Sequence, residues 1–520
     1  MRLSVTQGLK RAAQVHRNGI ATIDGDRRRT WTEVADRVPR AAAALKKLGL
    51  SRFGRVAVMA LNGDRHFEMH YAVPWAGGAV APINIRLAPP EIEYIFNDCA
   101  PEIVVVDDFC LDLLGKLGNV TSGVKAIIHI GDGPTPEGML DYEALIAENE
   151  PVEDALLNGD DLFCVCYTSG STGLAKGVML SHDNMISNAM NGVIMIGYDI
   201  STVFLHAAPM FHLADMLSVY AVTLVAGTQA FIPRFDIENC LGTMSRERVT
   251  NVTLVPTMIG MLVNHPGVEK YDLSHLKQFM FGAAPMPDGT LNRAVELWPD
   301  IKFLHGWGMT EIATIGSMLP MEFREPKVGG TLLRSCGKAP NNAEVRIVDG
   351  DDKEVPRGTI GELVIRGPMV MLGYLNKPEE TEKALENGWM HSGDAAYMDE
   401  DGFIFIVDRL KDMIISGGEN VYSSEVENAI SVMEGVREVA VIAVPDPKWG
   451  ERVHAVVVPR EGVTLTEDAV RDHCRTLISG YKCPRSVEIR AEPLPVGSTG
   501  KIAKTELRKP YWAGQTREVN

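Results

Sequence analysis

The stretch 54–108 alternates apolar runs of strand length with segments of helical length. "GRVAVMALNG" reads as a strand and "RHFEMHYAVPWAGG" as a helix closed by glycine. "AVAPIN" is a second strand, "PPEIEYIFNDCAP" a helix with proline near its start, and "EIVVVDD" a third strand. Strands separated by helices can lie parallel, because the crossover helix returns the chain to the same edge of the sheet. The alternation therefore predicts a parallel sheet with helices on its faces. From about residue 337 the texture changes: "AEVRIVDGDDKEVPRGTIGELVIRG" shows strands joined by Asp/Gly/Pro turns, an antiparallel signature. A last block begins near Arg409, with a helix over 424–433, strands "EVAVIAVP" and "VHAVVVP", a helix over 466–479 and the strand "SVEIR". It predicts a small α+β domain of about 110 residues. The expected domains are 1–408 and 409–520.

A chain of 520 residues is too long for one core. With 45% hydrophobic and 23% charged residues it has the make-up of a globular protein. The net charge of −17 disfavours nucleic acid and anionic membranes as partners, since both select basic surfaces. The eight cysteines form no CxxC pair, which suits a reducing compartment. Cys164 and Cys166 alternate in an apolar strand and should face the same way as buried thiols. No apolar run reaches the roughly 18 residues of a membrane span, and "MRLSVTQGLKRAAQVHRNGI" lacks the apolar core of a signal peptide. The expectation is a cytoplasmic protein without a transmembrane segment.

"YTSGSTGLAKG", 167–177, concentrates glycines, hydroxyls and one lysine. It is not a Walker A loop, because Lys176 is followed by Gly177. "GVMLSH" after it reads as another strand, with Ser181 as N-cap of the next helix, so strand–loop–strand is expected. Such a loop can offer backbone N–H groups, hydroxyls and a cation to phosphate; it can equally be a plain surface hairpin. "HGWGMTE", 305–311, sets an aromatic ring, two glycines, a hydroxyl and a carboxylate after the strand-like "IKFL". Glu311 beside Thr310 could hold Mg²⁺, a hard cation that takes oxygen ligands, though loops of this make-up are common. Asp394 and the Asp408-Arg409 pair lie in Gly-rich turns; an aspartate there is a turn residue or a ribose acceptor. Lys501 sits on the turn "GSTGKI".

These stretches, in this order, resemble the AMP-forming adenylate-forming enzymes: acyl-CoA synthetases, 4-coumarate:CoA ligases, luciferases and adenylation domains. The resemblance covers roughly 25 to 510 and rests on TSGSTG with Lys176, GWGMTE, GELVIRGPMVMLGY, HSGD, DRLKDMIISGGENVYSSEVE and a late GK. It implies an α/β fold. The large N-terminal domain would hold stacked mixed sheets, flanking helices and a distorted antiparallel barrel region, followed by a small mobile α+β C-terminal domain. It implies that Thr168, Ser169, Gly170, Ser171, Thr172, Gly173 and Lys176 cradle the ATP phosphates, and that Thr168 and Glu311 hold Mg²⁺. Gly282, Ala283 and Ala284, with Gly306, Trp307, Gly308, Met309 and Thr310, would bracket the nucleotide, and Asp394 and Arg409 would bond its ribose. His212, Gly282, Met309 and Ile312 would line the acyl pocket, and Gly417 and Gly418 the coenzyme A tunnel. Lys411 would be the hinge. Lys501 would contact the acyl carboxylate and the α-phosphate, making it catalytic with Glu311 and Lys176.

The sequence departs from the family pattern at three positions. Trp307 stands where tyrosine is commonest, Asp215 where glycine is frequent, and Val496 where a basic residue is often found. Asp215 leaves the wall of the acyl pocket open. The function implied is an ATP-dependent carboxylic acid:CoA ligase that uses ATP, Mg²⁺ and coenzyme A. Candidate pocket segments "APMFHLADM", "LVPTMIGML" and "GMTEIATIG" are apolar and rich in methionine. They favour a medium- or long-chain fatty acid over an aryl acid of the cinnamate or ferulate type. An adenylating enzyme that never meets coenzyme A remains a rival. The resemblance also leaves room for a homodimer.

Overall fold

The computed structural model describes residues 2–168, 174–282, 286, 288–324, 330–497 and 502–513. Two compact units emerge, Met1–Val345 with Ile365–Met390, and Arg346–Val364 with His391–Asn520. The strands Met390–Met398 and Ile404–Arg409 pair with each other, which is why 391–408 falls in the second unit. The expected domains 1–408 and 409–520 differ from these units by the segments 346–364 and 391–408, which fall in the second unit.

The first unit contains two eight-stranded mixed sheets. One runs Ser317–Met318, Lys302–Trp307, Gln278–Phe281, Asn251–Thr253, Val203–His206, Thr228–Phe231, Ile20–Asp24, Arg27–Thr30. The other runs Gly373–Tyr374, Lys176–Ser181, Leu162–Thr168, Ala79–Pro82, Arg55–Met59, Ile103–Val106, Ala126–His129, Leu140–Asp141. The three strands read from 54–108 are parallel, as their connecting helices Asp64–Ala76 and Pro89–Cys99 require. Gly77, at φ 99°, ends the first of these helices in the left-handed conformation that glycine adopts without strain.

Three helices, Asp64–Ala76, His182–Gly192 and Leu213–Leu224, are buried on nearly every face. Rings link the first and third of them to both sheets. Phe231 of the first sheet meets Phe67 at 6.1 Å, Phe67 meets Tyr71 at 5.3 Å, Tyr71 meets Tyr220 at 5.8 Å, and Tyr220 meets Phe163 of the second sheet at 5.4 Å. Each such pair adds to the apolar area already buried.

An arginine–carboxylate cluster lies at one end of Asp64–Ala76. Arg27 Nε meets Asp64 at 2.7 Å, Arg37 Nε meets Glu68 at 2.6 Å, and Arg37 and Arg65 both bind Glu143 at 2.8 Å. The Tyr142 hydroxyl donates to Glu68. Glu68 and Asp64 are buried, so their charges persist only because the guanidinium groups satisfy them.

The antiparallel barrel region, expected within the N-terminal domain, takes the form of a four-stranded sheet in the order Glu344–Val348, Gly361–Arg366, Met390–Met398, Ile404–Arg409, most of whose residues fall in the second unit. A five-stranded sheet follows, built on the long antiparallel pair Val436–Asp446 and Gly450–Pro459. Alternation along Val436–Asp446 gives it two apolar faces. Val441 and Ala443 join the core under the helices Ser423–Ser431 and Glu467–Leu477, while Ala440, Ile442 and Val444 pack with Leu507 of the helix Lys504–Trp512.

Burial acts to raise the Glu143 carboxyl, but hydrogen bonds and charge from Arg37 and Arg65 hold it down at about 2. A carboxylate depressed in the folded state adds stability above its unfolded pKa of roughly 4.3, and that stability is lost as pH falls through the folded value. We expect the melting temperature to fall between about pH 4.5 and pH 2, and Glu143→Gln to flatten that part of the profile. A mutant profile parallel to the parent's would show that Glu143 is not the group responsible.

Candidate active site

The strand Leu162–Thr168 pairs antiparallel with Lys176–Ser181, Thr168 opposite Lys176. The 167–177 segment therefore joins two strands, as its sequence suggested, and Thr168 and Lys176 stand at its mouth. Ser169, Gly170, Ser171, Thr172 and Gly173 lie outside the described residues. Ser181 caps the following helix with Asn184 in a reciprocal capping box. Cys164 and Cys166 in the same strand are both buried, their sulfurs 3.7 Å apart.

Lys176 lies beside a residue to which the sequence reading gave no role. The short strand Gly373–Tyr374 adds to the edge of Lys176–Ser181, with Tyr374 opposite Val178. Tyr374 is thus diagonal to Lys176 on one face of the sheet, within reach of an aromatic side chain. Lys176 Nζ is 4.9 Å from the ring centroid. The Tyr374 hydroxyl donates to Glu311 Oε1 at 2.9 Å. Burial first, then the Glu311 charge, push the phenol's pKa up, so it stays a donor. The Glu311 carboxylate and the Thr168 hydroxyl are hard oxygen donors. Among the described residues no group of three or more His, Cys, Asp or Glu gathers for a metal. This donor set fits Mg²⁺ that arrives on phosphates and needs only one or two protein carboxylates.

Glu311 stands in the short helical turn Thr310–Ile312, just after the strand Lys302–Trp307. The path here is tight. A Cβ at Gly308 would lie 1.4 Å from Thr314 O, and one at Gly282 2.8 Å from Gly306 O, so both positions demand glycine. Trp307 packs over Gly316, whose added Cβ would fall 2.2 Å from the indole. Met309 O accepts from the Ile312 and Thr314 amides. Ile312 itself is fully buried. Ala283 and Ala284 lie outside the described residues.

Ala313 and Thr314 hold φ of 51° and 100°, unusual for residues with a Cβ. Asn188, fully buried, clamps the two carbonyls that flank them: its Nδ2 donates to Ile312 O at 2.6 Å and Ile315 O at 3.2 Å. Four residues earlier, Asn184 Nδ2 donates to Pro368 O and Val370 O, just ahead of Tyr374. One face of the helix His182–Gly192 thereby holds both loops that bear on Glu311.

His212 is the N-cap residue of Leu213–Leu224, with its ring 4.7 Å from that of Phe211. Burial, with the Arg86 charge nearby, lowers its imidazole to about 4, so it is neutral at pH 7. Asp215 is fully buried, its Oδ2 2.5 Å from His206 Nδ1. Gln229 Nε2 donates to Val219 O, which turns Gln229 Oε1 to accept from His206 Nε2 at 2.7 Å. Desolvation raises the Asp215 carboxyl, and His206 opposes that rise.

In the second unit, Asp394 and Arg409 face each other across paired strands, Nε to Oδ1 2.7 Å. Asp394 is buried, and the Arg409 side chain is 42% exposed, so the guanidinium can reach a ligand without leaving its partner. Glu362 accounts for two motifs at once: its carboxylate accepts from the Gly393 amide and meets His391, tying "GELVIRG" to "HSGD". Gly417 and Gly418, at φ 65° and 87°, form the two-residue turn between Ile414–Ser416 and Glu419–Val421. Lys411 lies in the turn Leu410–Asp412. Its carbonyl accepts from Arg508, whose Nη2 is 2.9 Å from Asp412. Lys501 lies outside the described residues.

Residues 9–375 match the AMP-binding enzyme family, and 425–501 match the AMP-binding enzyme C-terminal domain. The chain belongs to the AMP-binding enzyme family. It is 36% identical to a feruloyl-CoA synthase of Amycolatopsis sp over 502 residues, covering 96% of this chain and 98% of that protein. It is 33% identical to a long-chain-fatty-acid–CoA ligase of Mycobacterium tuberculosis over 495 residues, 94% of each. Its fold matches that of ATP-bound MatB from Rhodopseudomonas palustris with a TM-score of 0.87 at 29% identity, over 98% of this chain and 99% of that one. As an AMP-binding enzyme of the acyl-CoA synthetase type, the protein is an acid–thiol ligase.

Sequence reasoning missed Asn184, Asn188 and Tyr374. Asparagines at 184, 188 and 191 recur at helical spacing, a signal that a polar stripe was being buried; Tyr374 lay inside a quoted motif. In Asn188→Ala, two carbonyls lose their donor beside a strained turn. We expect about 1–3 kcal/mol of lost stability in denaturant unfolding. A loss below about 0.5 kcal/mol would mean that the turn holds itself.

Proposed function

We propose that this AMP-binding enzyme is an ATP-dependent carboxylic acid:CoA ligase that activates an apolar acid as its acyl-adenylate and passes the acyl group to coenzyme A. The observation that carries the reading is the meeting of the Glu311 carboxylate and the Lys176 ammonium on Tyr374, at the mouth of the 167–177 loop. A triphosphate needs such a pairing of a metal-binding oxygen with a fixed cation. Thr168 and Glu311 would hold Mg²⁺, which lowers the repulsion between polyanion and acid. The paired Asp394 and Arg409 would bond the ribose, and Trp307 with the glycines around it would take the adenine.

The acid needs no general base, because at a pKa of roughly 4–5 it is ionised at pH 7. Its oxygen attacks the α-phosphorus; the new P–O bond replaces the bond to pyrophosphate. Lys176 and Lys501 offset the charge that builds on the phosphates. A thiolate of coenzyme A then attacks the acyl carbonyl and AMP departs. Gly417 and Gly418 would border the thiol's path. A swing of 409–520 about Lys411 would exchange Lys501 for that path between the two steps. Neutral His212 and the apolar segments after it suit an uncharged acyl group, and we favour a medium- or long-chain fatty acid. The acid pocket is attributed to His212, Gly282, Met309 and Ile312.

Screening acids for AMP release, with loss of free coenzyme A thiol as the second signal, tests the substrate. Turnover of fatty acids over about C8 above that of ferulate and cinnamate supports the fatty-acid reading; the reverse order assigns an aryl acid. AMP release with no thiol loss for any acid overturns the ligase assignment. For Lys501→Ala we expect ATP–pyrophosphate exchange to fall roughly 10²–10³-fold, while thioester formation from supplied acyl-adenylate stays near the parent rate. Normal exchange in the mutant would refute Lys501's role, and equal losses in both half-reactions would refute the swing.

A further inference from the structure

Tyr374 is held by backbone hydrogen bonds on both sides. The Leu375 amide donates to Gly177 O at 2.7 Å and the Leu372 amide to Met179 O at 2.9 Å, bonding its strand to the hairpin on both sides of the residue. The Tyr374 amide donates to Thr381 Oγ1 at 2.8 Å. The residue is 8% exposed. Glu311 and Lys176 are different in kind. The first presents a carboxylate, and the second an ammonium at the end of a four-carbon chain.

A hydrogen bond from the phenol to one carboxylate oxygen fixes the plane of that carboxylate and leaves its charge intact. A ring face beneath an ammonium attracts the cation and narrows the volume it samples. The same six-membered ring thus sets the spacing between an anion and a cation that come from separate segments, 311 and 176. The phenol suits this task because its hydroxyl donates to Glu311 Oε1 at 2.9 Å while its ring lies 4.9 Å from Lys176 Nζ.

We propose that Tyr374 is a positioning residue for the Mg²⁺–triphosphate, orienting Glu311 through its hydroxyl and Lys176 through its ring. This rests on the assignment of Glu311 and Lys176 to ATP made above. Each contact has its own observable. The hydroxyl governs how well Glu311 receives the metal, and the ring governs how well Lys176 meets the phosphates.

Two variants separate the contacts. Tyr374→Phe keeps the ring and removes the hydroxyl; Tyr374→Leu removes both. ATP–pyrophosphate exchange is measured over a range of Mg²⁺ and of ATP, together with melting temperature, for both variants, for Glu311→Gln and for the Glu311→Gln/Tyr374→Phe double variant. In Tyr374→Phe the Mg²⁺ needed for half-maximal exchange should rise about 3- to 10-fold, with KM for ATP at saturating Mg²⁺ within about twofold of the parent. In Tyr374→Leu the Mg²⁺ requirement should rise likewise, and KM for ATP should rise about 3- to 10-fold as well. The double variant should need no more Mg²⁺ than Glu311→Gln alone, because the hydroxyl acts only through Glu311. If Glu311→Gln shifts the Mg²⁺ dependence and Tyr374→Phe does not, the Tyr374 proposal fails and the ATP reading stands. If Glu311→Gln leaves the Mg²⁺ dependence unchanged, the ATP reading fails and takes the proposal with it. Parallel losses of kcat and melting temperature in both variants, with the Mg²⁺ and ATP dependences unmoved, would reduce Tyr374 to a packing residue.

Discussion

Helices buried on nearly every face govern much of the first unit. Asp64–Ala76, His182–Gly192 and Leu213–Leu224 are surrounded by protein, so each polar side chain on them must be matched inside or left neutral. The matches are specific. Asp64 and Glu68 take arginines, Asn184 and Asn188 take loop carbonyls, and Asp215 takes His206. Where no charged partner faces an imidazole, burial lowers its pKa, as at His66, at about 4. Buried polar groups fix a geometry that apolar contacts alone would leave loose, because only one arrangement satisfies them. The loop that bears Glu311 and the loop that leads to Tyr374 both inherit their positions from one helix face.

The sequence was most legible where the signal is periodic. The parallel strands at 55–59, 79–82 and 103–106, their helices, and the strands and helices between 423 and 489 follow from alternation and spacing between turns, whereas the helix Lys504–Trp512 was not read from the sequence. The strand–loop–strand form of 162–181 followed from "GVMLSH", which reads as a second strand after the loop. Pairings between distant residues were not legible. Asn188 and Ile312 are 124 residues apart, Tyr374 and Glu311 63 apart, and Asp394 and Arg409 meet only because two strands align. No local pattern encodes such partners. The sequence showed that Asp215 was out of place for its family, but not that His206, nine residues earlier, would meet it between a strand and a helix.

The family motifs acquire separate physical duties in the structure. "HSGD" needs its glycine because the Gly393 amide, at φ 69°, turns to Glu362. "GELVIRG" supplies that glutamate. "GWGMTE" needs Gly308 because the carbonyl of Thr314 fills the space where a side chain would begin. Residues that read as one signature thus serve as a brace, an acceptor and a gap.

All eight cysteines are buried, and burial lifts the thiols of Cys99 and Cys474 to about 11. A thiolate is the reactive form, and it is scarce at such values. The native chain should therefore react slowly with thiol reagents. A colorimetric count of sulfhydryl groups during turnover reads coenzyme A with little background from the enzyme. A single cysteine engineered on the surface, carrying a fluorophore, would report from its own position without first stripping the eight natural thiols from the core.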